Sequence, residues 1–151
     1  MKNPLSSPAA QSLSLLLARV PLGLYFGVSG YQKIIAPSGV GGFVNANLDT
    51  AMKYMPEHVA RGYLTALPFA ELLVAALLLF GLFQRIGALM GAAVLVSFVV
   101  ASGVRWNQGS PFNQSIILLG LTLVLLTVGP GKLSADGLLF PAGKKAAHKP
   151  A

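Results

Sequence analysis

Residues 63–83, YLTALPFAELLVAALLLFGLF, hold a single charged residue, Glu71. A helix rises ~1.5 Å per residue, and ~20 apolar residues cross the ~30 Å hydrocarbon core of a bilayer. The stretch therefore reads as a membrane span. Working outward, Gln84-Arg85 makes a very short turn, and 86–104 forms the next apolar run. Upstream, 12–35 is a run containing Arg19, Pro21 and Lys33, with no small-residue cleavage site at its end, so it is expected to remain as a helix. Downstream of the polar loop Arg105-Trp106-Asn107-Gln108-Gly109-Ser110-Pro111, a fourth run covers 113–128, and Gly129-Pro130-Gly131 ends it.

Composition agrees. Of 151 residues, 54% are hydrophobic and 10% charged, with a mean hydropathy of +0.69. Soluble domains carry roughly 45–50% apolar and about 25% charged residues, so a solvated globular enzyme is excluded. The expected fold is all-α, an integral membrane four-helix antiparallel bundle over 12–138. A cytoplasmic segment, 1–11, precedes it and a basic disordered tail, 139–151, follows. Between the first two spans, 42–54 predicts a short interfacial helix with Phe43, Ala46, Thr50 and Tyr54 on one face.

Orientation follows from Lys and Arg near the span ends. Lys2, Arg85, Lys132, Lys144, Lys145 and Lys149 fall on one side, and Lys33, Lys53, Arg61 and Arg105 on the other. The larger group places both termini in the cytoplasm, in a multi-pass cytoplasmic-membrane protein. The net charge of +7 lies along membrane edges and a tail. It is suited to lipid headgroups, and nucleic acid is not an expected partner. With no cysteine, thiol and iron–sulfur chemistry cannot be built from this chain, and two histidines outside the apolar runs make no haem or metal site.

Helix association in lipid depends on close packing and polar contacts. Gly23 and Gly27 form one small-residue pair, and Gly87 and Gly91 another. Ionisable groups within a span cost ~2.5–3.5 kcal/mol each at the centre and usually face a partner or a cavity. Arg19 lies ~10 Å past Ser12, and Glu71 lies ~18 Å from Phe83 on the same side. The remaining ~8 Å is within side-chain reach, so a buried Arg19–Glu71 ion pair is expected, with Lys33 and Arg85 as competitors for Glu71. The pair reads either as a clamp on helix register or as a polar site for a quinone headgroup or a proton. A second polar group gathers at the outer ends: Gln32, Lys33, Arg105, Trp106, Asn113 and Gln114. It reads as a shallow headgroup site or as ordinary wet helix ends.

Several of these residues carry a resemblance. Arg19, Gly23, Gly30, Lys33, Pro56, Glu71 and the turn Gly81-Leu82-Phe83-Gln84-Arg85 resemble the DoxX family of small membrane proteins. The closing run Gly129-Pro130-Gly131-Lys132-Leu133-Ser134-Ala135-Asp136 is similar to that family's terminal signature, with Ala135 in place of its usual leucine. The resemblance implies a four-span bundle associated with quinone-linked or thiol-handling oxidoreductases. Having no cofactor ligands of its own, the chain is then expected to be an accessory subunit, at most holding a quinone or a lipid and docking on other membrane subunits. A purely structural subunit and a small-solute transporter are the alternatives; no catalytic residue is assigned.

Overall fold

The computed structural model describes residues 8–102, 114–128 and 134–136. Five helices follow one another: α1 (Pro8–Ile35), α2 (Gly39–Ala51), α3 (Glu57–Phe80), α4 (Gln84–Ser102) and α5 (Gln114–Val128). No strand occurs among the described residues. Among the described residues, three helices are long and apolar enough to cross a membrane, α1, α3 and α4. The fourth, α5, is apolar but has 15 described residues, or ~22 Å of rise. The chain is thus a multi-pass helical membrane protein. Of the expected spans, three stand as full-length helices and the last as a shorter one.

Each boundary has a local cause. Proline at position 56 stands before the first turn of α3, where Glu57 adds a negative charge near the free N–H groups. Gly81 closes α3 in the left-handed conformation at φ 65°, which glycine adopts without strain. Phe83 at φ 45° completes the turn into α4. For a bulky residue this conformation is uncommon and must be held from outside. The holder is Asp136, whose carboxylate accepts from the backbone N–H of Phe83 at 2.8 Å and of Gln84 at 2.9 Å. The backbone N–H of Asp136 in turn donates to the Gly81 carbonyl at 3.1 Å. A segment from beyond α5 therefore clasps the α3–α4 turn.

α1 packs chiefly on α3, α4 packs on α3 and α5, and α5 also meets α1. Glycines set the α1–α3 register. A Cβ on Gly23 would come within 2.7 Å of Leu79, and one on Gly30 within 2.7 Å of the Pro68 carbonyl oxygen. One on Gly27 would meet the Cβ of Ala75 at 3.5 Å. As the α1 number rises the α3 number falls, so the two run antiparallel. Gly87 and Gly91 on α4 do the same against Leu77 and against Val74 and Phe26. Leu22, Phe26, Val74, Leu78, Leu95 and Leu125 are fully buried where these helices meet.

A helix stands where the short interfacial one is expected, α2, but it turns a different face inward. Val44, Leu48 and Ala51, spaced four and three apart, pack on Ala60 and Leu64 of α3. Ala46 and Tyr54 of the expected apolar face are exposed. Burial against α3 selects the more aliphatic stripe, and α2 becomes part of the protein core rather than lying only on the membrane surface.

Candidate functional site

The site forms where the end of α1 passes the middle of α3, under α2. Lys33 lies in the last turn of α1 and Glu71 in the buried stripe of α3. One ammonium donates to both carboxylate oxygens, at 2.5 and 2.6 Å. Its third hydrogen goes to the Ser29 hydroxyl at 2.9 Å, and that hydroxyl donates to Glu71 at 3.3 Å. All three donors of the lysine are therefore engaged. The rings of Phe43 on α2 and Phe98 on α4 each lie 5.1 Å from the ammonium, in cation–π range. Glu71 is wholly buried, and the Lys33 side chain retains 18% of its exposure. That remaining exposure opens on a cleft of about 370 Å³ between α1 and α2, which Gln32, Ser38 and Asn47 also line.

The expected Arg19–Glu71 pair is not the one the protein builds. Glu71 is bound to Lys33, and Arg19 donates to the Gln84 side chain at 3.3 Å. The glycine register explains why. It sets Arg19 level with the α3–α4 turn, twelve residues or ~18 Å beyond Glu71. The sequence estimate had aligned Ser12 with Phe83, whereas α1 starts at Pro8 and runs past the turn. The guanidinium instead lies against Gly81 and Ser134, and Asp136 acts on it electrostatically. A quinone site shared by Arg19 and Glu71 loses its premise, since the register holds the two ~18 Å apart along the bundle.

Of the outer polar group, Gln32 and Lys33 share the cleft, and Gln114 opens α5 as an exposed residue. Arg105, Trp106 and Asn113 lie outside the described residues. Ser29 and Phe98 were not singled out by sequence reasoning, and Phe43, Gln84 and Asp136 were named for a helix face, a turn and a closing run without a role in a site. Ser29 had a readable signal, one turn before Lys33 on the same face. The two phenylalanines had none, because they come from helices far apart in the chain.

A second assembly lies beside the first. The Tyr63 hydroxyl donates to Ser97, which donates to the Val94 carbonyl at 2.6 Å, tying α3 to α4. Tyr54 donates to the Val100 carbonyl at 3.0 Å. Between them, α2, α3 and α4 leave a partly enclosed apolar cavity of about 220 Å³, bordered by Phe43 and Phe98.

The family model described as methylamine utilisation protein MauE matches residues 11–113, the larger part of the chain and all of the Lys33–Glu71 site. The chain belongs to this family. That match overturns the DoxX resemblance: Arg19, Gly23, Gly30, Lys33, Pro56 and Glu71, which carried it, all fall within the stretch matched by MauE. No curated protein and no solved structure matches the chain. Among the described residues of this MauE-family protein, no group of three His, Cys, Asp or Glu side chains is placed to hold a metal ion.

Proposed function

We propose that this MauE-family protein is an accessory, non-catalytic membrane subunit serving methylamine utilisation, built as a four-span antiparallel bundle with both termini in the cytoplasm. One observation carries the accessory reading. The acid buried within the spans is neutralised by a lysine of the same chain, which has no hydrogen left to donate. Such a pair is satisfied within the chain and adds no reactive group. The outward faces offer what a membrane subunit packs with, apolar side chains such as Leu17 and Val28 on α1, Ile86 and Leu89 on α4 and Ile117 on α5. Lipids cover those faces where partner subunits do not.

The test begins with a strain lacking the protein. It is expected to fail on methylamine as the nitrogen source, to grow on ammonium, and to recover on re-expression. The purified chain in proteoliposomes is expected neither to consume nor to move methylammonium. Turnover by the isolated chain would make it an enzyme, and uptake would make it a transporter. Either result overturns the accessory reading.

A further inference from the structure

We propose that the cavity between α2, α3 and α4 is a binding site for a small membrane-soluble phenol, that is, one aromatic ring bearing a hydroxyl that donates. Size limits the occupant first. At about 220 Å³ the cavity exceeds the ~150 Å³ that admits benzene, yet lies below the ~300 Å³ at which sites for drug-sized ligands begin. It fits one substituted ring. The walls suit such a ring, with Phe43, Leu64, Leu67 and Phe98 presenting apolar or aromatic surface.

The hydrogen bonds on the walls then choose the substituent. A backbone carbonyl only accepts, so Ser97 must give its hydrogen to Val94 and Tyr54 must give its hydrogen to Val100. Ser97 is then left to accept from Tyr63, which spends the Tyr63 hydrogen as well. Three of the four hydroxyls on the lining, those of Tyr54, Tyr63 and Ser97, have their hydrogens committed and oxygen lone pairs remaining, and Thr50 carries the fourth. A ligand gains a hydrogen bond from the three by donating one. A ring hydroxyl can donate to these three as well as accept from Thr50 or the Asn47 amide, whereas an ether on the same ring can only accept. Phe43 and Phe98 also flank the Lys33 ammonium, so an occupant would press on the two rings that shield the Lys33–Glu71 pair.

The experiment uses the full chain in nanodiscs and follows 4-fluorophenol and 4-fluoroanisole by fluorine NMR. Saturable binding of 4-fluorophenol is expected, with 4-fluoroanisole weaker by roughly three- to tenfold, the value of one net hydrogen bond. The Tyr63→Phe/Tyr54→Phe variant is expected to lower that preference. Thr50→Phe and Ala101→Trp, which fill the cavity from α2 and from α4, are each expected to abolish binding while circular dichroism stays helical. Two variants are used so that misfolding of one leaves the other decisive. Equal binding of the two probes would make the cavity a plain apolar hole for acyl chains and overturn the proposal. Binding that survives in a folded, filled variant would overturn it too, and so would absence of saturable binding in the wild type.

Discussion

Lys33 and Glu71 meet across the α1–α3 interface, the two oxygens of one carboxylate each taking a hydrogen from one ammonium, at 2.5 and 2.6 Å. Neither residue chooses the other by proximity in sequence. The glycines of α1 let its backbone approach α3 at one register, and that register brings the last turn of α1 over the middle of α3. Packing thus decides which charges meet.

Removing one partner should hurt more than removing both. Lys33→Met leaves a buried carboxylate without its cation, and Glu71→Gln leaves an ammonium without its anion. Each is expected to lower stability by about 3–5 kcal/mol, with the double replacement milder than the sum of the two. Denaturant unfolding in detergent measures this. Arg19→Gln combined with Glu71→Gln should instead add simply, since the two sites share no partner and lie ~18 Å apart.

Alanine at different glycines should give opposite signs. At Gly30 the new methyl meets the Pro68 carbonyl, backbone that cannot swing aside, so Gly30→Ala is expected to cost about 1–3 kcal/mol. At Gly120, within α5, nothing lies within 4 Å. Gly120→Ala should stabilise the helix by roughly 0.5–1 kcal/mol. Unfolding midpoints of the two variants, compared with wild type, check both.

The clasp on the α3–α4 turn rests on one side chain. Asp136→Ala removes both acceptors at the N-terminus of α4 and frees a turn in which Phe83 sits at φ 45°. The loss is expected at about 1.5–3 kcal/mol, the range for hydrogen bonds to a charged group. Asp136→Asn, which keeps one acceptor, should lose about half. Faster amide hydrogen exchange at Phe83 and Gln84 in the alanine variant would show that the loss is local.

The helices were legible because their signals are local. Apolar runs lie in consecutive sequence, and the observed boundaries of α1, α3 and α4 lie within a few residues of those runs for most ends. Glu71 and Lys33 were legible as candidates, since charges are rare in spans. Their pairing was not. It depends on axial register between α1 and α3, which Gly23, Gly27 and Gly30 fix by contact, while counting from Ser12 assumed that both helices end at one level. The inward face of α2 was misread for a related reason: Val44, Leu48 and Ala51 are selected by what α3 presents to them.

The register is therefore the most direct test of the account. The chain has no cysteine, so an engineered pair has no background. A Cβ placed on Gly27 would lie 3.5 Å from the Ala75 Cβ, within the ~3.5–4.5 Å that a disulfide spans between Cβ atoms. Gly27→Cys with Ala75→Cys is expected to form an intramolecular disulfide in membranes under mild oxidant, seen as a shift in gel mobility that reductant reverses. Failure of that pair, with Leu16→Cys and Ala75→Cys cross-linking in its place three turns away, would put Arg19 rather than Lys33 near Glu71 and contradict the account.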